Sequence, residues 1–342
     1  MSAVPTTPAA VRHPSTRLRQ ARWVLRLHRP ALVSWAVLVI VCAALLLWLG
    51  GPGTDAAANG WRQYDACGWS GKCTYDQHAI LRYKDLYSYL TFALAALPYL
   101  VAAWAGAALT GRELESRTAH LAWTQGVTPA RWLTAKLALP ALAVTTGTSL
   151  LVFLHQWGWS AAHGRVDIMA SRWDIWTFHT NGPATVALSL AALVAGALAG
   201  LVLRRALPAL ATALVATAGL WGLAQWLMPH LWPAVTRVTG LEQGYGGSSP
   251  GLEVDQGLVT RTGGHISEPF CYASTPQDCL RLFEKQGAVG YFRTYHPDAH
   301  FWPLQLTTSA FLLALAALLT LAAFLVLRRL TGALRTAGEA AR

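Results

Sequence analysis

The twenty residues ATVALSLAALVAGALAGLVL, Ala184–Leu203, contain no charged residue and no histidine. A helix of this length rises about 30 Å, which matches the hydrocarbon thickness of a bilayer. Apart from Lys136, five further blocks also lack Asp, Glu, Lys, Arg and His; they lie at 31–50, 87–110, 133–154, 206–228 and 304–327. Because backbone groups in lipid must be bonded internally, we predict an all-α integral membrane protein with six transmembrane helices.

The composition of the whole chain agrees with this prediction. Of the 342 residues, 54% are hydrophobic and 13% are charged, against about 25% charged residues in an ordinary soluble protein. These values argue against a soluble enzyme, a secreted disulfide-rich domain and a disordered regulator.

The distribution of basic residues predicts the orientation. Segments that would share a side with the N-terminus hold 16 of the 27 Lys and Arg residues and three acids, whereas the longer opposite segments hold 11 bases and 13 acids. The positive-inside rule therefore places both termini in the cytoplasm, in what we expect to be a plasma membrane. The net charge of +11 then reflects topology and contact with anionic lipid. No folded domain gathers the bases, so a nucleic-acid partner is not expected.

The spans divide the chain into four predicted parts. Residues 1–30 form a cytoplasmic tail with an interfacial helix at 15–29, although a merely basic tail would look the same. The first five spans and their loops occupy 31–228, with an extracellular loop between the first two. An extracellular lobe follows at 229–303, and the sixth helix with its cytoplasmic tail at 304–342. We expect the first helix to stay uncleaved, because the apolar run of a signal peptide is about 7–15 residues.

Two glycines in the fourth span suggest how it packs. Gly196 and Gly200 form a small-xxx-small pair, a surface on which another helix could pack closely. The same pattern also arises by chance in helices rich in Ala and Gly.

Four of the five cysteines fall in segments predicted to lie outside, and the fifth, Cys42, should be buried and inert in the first span. In an oxidising compartment, Cys67 with Cys73 and Cys271 with Cys279 would form two local disulfides, although four cysteines allow three pairings. His296 and His300 are four residues apart, which could suggest a metal site. Pro297 lies between them and no third ligand is adjacent, so we expect no metal.

The sequence lacks the residues that several kinds of chemistry require. Ion-coupled transporters normally keep Asp, Glu or His inside the membrane, and the six blocks contain none at mid-depth. Neither H-E-x-x-H nor G-x-x-x-x-G-K-[ST] occurs, so we expect no catalytic residue, no cofactor and no ATPase site in this chain. Energy for any transport would have to come from another subunit.

One inner loop is long enough to receive such a subunit, residues 111–133, GRELESRTAHLAWTQGVTPARWL. Its mixture of charged and apolar residues predicts a short amphipathic helix. Gly126 could end this helix, and Thr128 with Pro129 would cap and start the next one. A short helix held at both ends could transmit force from a soluble partner. An ordinary structured turn explains the residues equally well.

The sequence of this loop is similar to that of a known family. The runs ELESRT (113–118), LAWTQGV (121–127) and RWLTAK (131–136) resemble the inner loop of actinobacterial ABC transporter permeases, of the type-two ABC exporter class. Tyr295, Phe301, Trp302 and Gln305 are similar to the aromatic start of the family's last helix. Six spans, inside termini and a long final outer loop also match. Arg117 departs from the pattern, because many relatives have Gly there.

This resemblance implies a permease subunit without an ATPase site. Two permease chains would pair, and a separate ABC ATPase that binds ATP and Mg would dock on the coupling helix. The permease residues in contact with the ATPase would be Glu113, Glu115, Arg117, Thr118, Trp123, Gln125 and Gly126. The absence of charge at mid-depth suggests an amphiphilic or hydrophobic cargo, exported from the cell.

Two other classes of function remain open at this point. A scaffold or sensor with a ligand-binding outer lobe explains the outer loops equally well but not the inner loop. An enzyme acting on lipid-linked sugars could use His163, Asp167, Asp174 and His179 in the loop 156–183, although an interfacial loop rich in Trp is the simpler interpretation. A P-loop ATPase gene beside this one would separate the transporter from the scaffold.

Overall fold

The computed structural model describes residues 28–68, 73–124, 127–167, 169–245, 251–272 and 275–340, with side chains as far as residue 332. Among these residues, six helical segments are long and apolar enough to cross a membrane: Arg29–Ala66, Gln77–Glu115, Pro129–Ala162, Ala184–Leu203, Ala206–His230 and Asp298–Gly332. The six predicted spans are confirmed. The interfacial helix predicted at 15–29 lies almost wholly outside the described residues.

The first span is longer than predicted and contains a kink. Helix α1 (Arg29–Trp48) passes through a π-helical turn (Leu49–Gly53) into helix α2 (Thr54–Ala66). Gly51 has non-helical torsions, φ −111° and ψ −105°, and Pro52 follows it. A proline in a helix removes one hydrogen bond and crowds the preceding turn, which accounts for a kink here. Much of the predicted loop between the first two spans is therefore helix.

Helix α3 (Gln77–Trp104) forms the second span, and a π-helical segment (Ala105–Gly111) connects it to the short helices α4 (Arg112–Glu115) and α5 (Thr118–Thr124). Helix α6 (Pro129–Ala162) starts at the predicted cap, where the Thr128 hydroxyl accepts from the Arg131 amide. Helix α7 (Ile175–Thr180) precedes the fourth span, α8 (Ala184–Leu203), and the fifth, α9 (Ala206–Leu227). The last span is α11 (Phe301–Ala340), which begins three residues before the predicted boundary.

Helix α8 forms the centre of the bundle. Its central window is 72% buried, whereas the windows of the first, fifth and sixth spans are only 17–22% buried. Helices α3, α6, α9 and α11 all pack on α8, and α11 does so most extensively. At Gly196 the backbone of α8 lies against the Ala102 carbonyl and the Gly106 amide. The predicted close-packing surface is thus confirmed.

The Gly200 contact can be tested by a substitution. A Cβ at Gly200 would collide with the Thr110 hydroxyl and with the backbone of Gly106 and Gly111. We expect Gly200→Val to lower the free energy of unfolding by about 1–3 kcal/mol, because packed backbone cannot move aside. Thermal unfolding of the purified chain in detergent would measure the loss. Gly219→Val on α9 is the matched control, since open space surrounds Gly219; equal losses in both variants would contradict the packing argument.

The segment between α9 and α11 forms a folded lobe (residues 231–300, the β lobe). Strands β1 (Val235–Gly240), β2 (Gly251–Thr260), β3 (His265–Ile266) and β4 (Ala288–Pro297) form an antiparallel sheet in the order β1-β4-β2-β3. Helix α10 (Pro276–Lys285) packs Phe283 against Leu258 and Tyr291 of the sheet. The prediction of an all-α chain is therefore wrong for this lobe. Its strands alternate β-branched and aromatic residues with polar ones, which favours a half-exposed sheet.

The cysteines pair locally. Cys67 with Cys73 and Cys271 with Cys279 are disulfide-bonded, each with its Cα atoms 5.7 Å apart. Cys42 is free and buried in α1. The prediction of two local disulfides is confirmed.

His296 and His300 have a structural role in the β lobe. Their Nδ1 atoms are 3.2 Å apart, and His296 Nε2 lies 3.0 Å from the Pro229 carbonyl oxygen. Burial lowers the pKa of His296 below its ordinary value, with further lowering by His300 and His230. A neutral His296 thus bonds at both ring nitrogens. Across the described residues, no group of three His, Cys, Asp or Glu side chains could hold a metal.

Helix α6 extends beyond the apolar block that marks the third span. The block ends at residue 154, but the helix continues to Ala162 and includes His155. His155 Nδ1 lies 2.5 Å from Asn181 Oδ1, and Nε2 lies 2.8 Å from Thr91 Oγ1. Both ring nitrogens are bonded to neutral groups, so His155 connects α3 and α6 to Asn181, which lies between α7 and α8.

Candidate functional site

The predicted inner loop contains two short helices. Helix α4 ends at Glu115, and the chain turns through Ser116 and Arg117 into α5. Arg117 has φ +60°, a left-handed conformation that favours glycine. The Ser116 and Thr118 hydroxyls lie 3.0 Å apart across this turn, and Thr118 Oγ1 donates to the Glu113 carbonyl at 3.3 Å. Arg117, where the resemblance leads us to expect Gly, is thus the left-handed position of the turn.

Replacing Arg117 tests this strain directly. We expect Arg117→Gly to raise the free energy of unfolding by about 0.5–1 kcal/mol. The left-handed conformation costs an L-residue about 1–2 kcal/mol, and glycine avoids this cost. Part of the gain is lost because glycine has greater conformational freedom in the unfolded chain. The matched control is Arg112→Gly. Arg112 is equally exposed but helical, with φ −62°, so glycine there should lower stability. Chemical denaturation of both variants measures the change in the free energy of unfolding. A decrease in both variants would contradict the assignment of strain to Arg117.

A buried ion pair holds α4 against α6. Glu113 Oε1 accepts from the ammonium of Lys136, and the two side chains are 14% and 1% exposed. His28 Nε2 lies 3.2 Å from the same ammonium, and the His28 ring meets Trp104 edge-on at 5.6 Å. A buried ammonium is tolerated only when it is paired. Glu113 therefore faces the bundle and fixes the first half of the loop to the second and third spans.

A second contact joins the loop to the fifth span. Glu115 Oε2 accepts from the backbone amide of Ala206 at 3.0 Å, at the first turn of α9. A carboxylate there bonds a free amide and favours the positive end of the helix dipole. The loop is thus fixed at two points, 113 and 115, to different helices of the bundle.

Aromatic rings hold α5 against the start of α6. Trp123 meets Trp132 at 5.7 Å between ring centroids and His120 at 4.9 Å, and Lys136 lies 5.4 Å from the Trp132 ring centre. Trp123 is half-buried in this cluster. Trp123 therefore stabilises the loop from within.

Several residues of the loop are exposed. Leu121 is 61% exposed although it is a large apolar residue, and Arg112, Arg117 and Thr118 are exposed as well. These are residues of the loop that a partner could reach. We call Arg112, Arg117, Thr118 and Leu121 the docking face. The structure places Arg117 and Thr118 on this face, Glu113 and Trp123 against the bundle, and Gln125 and Gly126 outside the described residues.

Sequence reasoning missed two participants. His28 carries no motif and lies in the basic segment 15–29, where nothing in the sequence indicates a contact with Lys136. Leu121 contributes to the amphipathic pattern of the loop, and this pattern alone does not show that its side chain is exposed.

The residues predicted at the start of the last helix are structural. Phe301 is fully buried beside Trp173 and Phe178, while Trp302 is half-exposed. Gln305 is buried; its amide nitrogen donates to the Phe178 carbonyl and its oxygen accepts from the Ala184 amide at 3.3 Å. The Tyr295 ring lies 5.3 Å from the Arg293 guanidinium in β4.

The four residues considered for an enzyme do not form a common site. Asp174 caps α7 by accepting from the Trp176 and Thr177 amides at 3.1 Å. His163 stacks on Trp159 at 4.5 Å, and His179 is buried, which lowers its pKa below the ordinary value. Asp167 and His163 line one surface pocket, but Asp174 and His179 do not line it. The four residues therefore do not meet at one reacting position.

Comparison with known proteins identifies part of this architecture. Residues 36–229 match the family described as ABC-2 membrane transporter related, which is more than half of the chain. The matched segment contains α4, α5, most of the first span and nearly all of the second to fifth spans, and it ends before the β lobe. No curated protein and no solved structure matches the chain.

Proposed function

Because this chain belongs to the ABC-2 membrane transporter related family, we propose that it is the membrane-spanning permease subunit of an ATP-driven exporter in the plasma membrane. A separate ABC ATPase, which binds ATP and Mg, docks on the loop 111–133, and a second permease chain completes the transporter. This chain itself holds no cofactor and is not an enzyme. Its termini and the docking face are cytoplasmic, as the basic residues predict.

The observation that supports this proposal most is the double attachment of α4. Glu113 is ion-paired to Lys136 of the third span, and Glu115 caps the fifth span. A push on the exposed docking face is therefore transmitted to two spans without first deforming the loop. A merely solvated turn does not need a buried ion pair. Hydrogen-bonded attachment to two helices is what a mechanical connection requires.

The proposed cargo class follows from the small number of charges in the spans. The described spans carry one charged pair, Glu113 with Lys136, and it lies at the loop end of the bundle. A cargo path between such spans favours amphiphilic or hydrophobic molecules over small ions. Export follows from the class that the inner loop resembles.

Affinity purification tests the proposal. The tagged full chain, solubilised gently from its native membranes, should retain a P-loop ATPase in stoichiometric amount. Mass spectrometry would identify it, and ATP hydrolysis should rise when the two are combined in lipid. A clean preparation without an ATPase, at detergent conditions that keep the chain folded, would contradict the proposal and favour a scaffold or sensor.

A further inference from the structure

The β lobe contains an open cavity of about 780 Å³ whose lining includes four aromatic residues, Tyr245, Phe270, Phe283 and Tyr291. Tyr245 and Tyr291 pack at 4.6 Å between ring centroids, and Phe283 meets Tyr291 edge-on at 6.2 Å. Helix α10 and the Cys271–Cys279 disulfide form another wall. The volume is sufficient for a small organic ligand, since such sites usually measure about 300–1,000 Å³.

The charged residues that line this cavity are all acidic. Glu242 and Glu268 are the charged residues among the described lining residues, and no Lys, Arg or His lines it. The predicted lobe segment, 229–303, holds seven acids and five bases, a net charge of −2. Among the described lining residues, an anion would meet no opposite charge, whereas a cation would meet two carboxylates.

One lining residue, Phe270, is continued by a second exposed ring. Phe270 and Tyr272 are 84% and 89% exposed, and their rings stack at 5.4 Å on either side of Cys271. The stacked pair forms a small apolar patch that begins at the cavity and extends over the lobe surface. The disulfide at Cys271 restrains the segment that carries both rings.

One hydrogen bond orients a carboxylate in the cavity. The Tyr245 hydroxyl donates to Glu268 Oε2 at 2.5 Å. Burial, then the bond and the charge of Glu268, raise the pKa of Tyr245 above its ordinary value, so the phenol remains a donor at neutral pH. The bond fixes one oxygen of Glu268, and the side chain is exposed where it lines the cavity.

We propose that this cavity binds an organic cation with an aromatic or apolar body, such as a substituted ammonium. The faces of the rings attract a cation, and Glu242 and Glu268 supply the opposite charge. A bare metal ion is excluded, because two carboxylates and rings do not make a coordination sphere. This site does not depend on the proposed permease function: a sensor could use it equally.

The test compares a cation with its neutral analogue of the same shape. Phenyltrimethylammonium and tert-butylbenzene are titrated separately against the full chain in lipid nanodiscs, and ligand-observed NMR gives the affinities. We expect the cation to bind, and the variant carrying Glu242→Gln and Glu268→Gln to lose about tenfold or more in Kd. The matched control is Glu284→Gln, an exposed acid of α10 outside the cavity, which should leave the affinity unchanged.

A second variant examines the rings. Phe270→Ala with Tyr272→Ala should weaken binding of the cation severalfold, and both side chains are too exposed for their removal to unfold the lobe. Retention of the Cys271–Cys279 bond, checked by mass spectrometry of unreduced peptides, reports on folding. No binding by the native chain, unchanged affinity in the double Gln variant, or equal saturation by tert-butylbenzene would overturn the proposal. Capture of the ATPase is measured separately, so failure at one site is distinguishable from failure at the other.

Discussion

The variant Glu113→Ala is expected to lose about 3–5 kcal/mol of unfolding free energy, because it leaves the Lys136 ammonium buried without its carboxylate. The remaining neighbour, His28, offers at most a neutral ring nitrogen at 3.2 Å. Removal of one member of a buried pair costs far more than removal of both. The loss can be followed by unfolding of the purified chain in mixed detergent micelles.

A second variant separates charge from shape. Glu113→Leu combined with Lys136→Met replaces the pair by apolar groups of similar size and should regain most of the lost stability. Glu115→Ala is the single-residue control, since it removes one exposed cap and should cost only about 1 kcal/mol. A double variant as unstable as Glu113→Ala would show that the cost does not come from the unpaired ammonium.

The variant Leu121→Asp is expected to lose the partner ATPase while remaining folded. Leu121 is 61% exposed, so the carboxylate meets water in the isolated chain, but it would be desolvated in an interface. Loss of an apolar contact at the centre of an interface is typically worth about 1.4–2 kcal/mol or more, or about 10–30-fold in Kd. Quantitative recovery of the ATPase on the tagged chain, and its stimulated hydrolysis, measure this effect.

The matched control is Leu282→Asp, at a partly exposed leucine on α10 in the β lobe. The substitution is chemically identical, but it lies on the opposite side of the predicted membrane and should leave ATPase recovery unchanged. If Leu121→Asp retained the ATPase at the native level, the docking face would be wrongly assigned, even if the permease function held. Glu113 is unsuitable for this experiment, because its substitution changes stability first.

The spans could be predicted from the sequence because an apolar run of about twenty residues has few alternatives in a membrane. The Thr128 cap and the close approach at Gly196 could also be predicted, because each depends on a short stretch of sequence. The two disulfides followed from sequence proximity. In each case the deciding interaction joins residues near one another or depends on one residue type.

The features that the sequence did not reveal depend on distant partners. Lys136 pairs with Glu113 across 23 positions, and nothing in either flanking pattern specifies this pairing. The sheet of the β lobe was missed because its strands are half-exposed and contain glycines, which weaken the alternation of apolar and polar residues. The extension of α6 beyond its apolar block was missed because hydropathy identifies only the apolar part of a helix. It does not show where the helix itself ends.

The central position of α8 has a consequence for biosynthesis. Its most extensive neighbour, α11, begins about 100 residues after α8 ends. At about 5–20 residues per second, the ribosome needs roughly 5–20 s to synthesise that interval. During this time the inserted helix α8 lacks the helix that covers one side of it. We expect nascent chains that stop before residue 301 to remain sensitive to membrane quality control, and protease resistance to appear only when the sixth span is inserted.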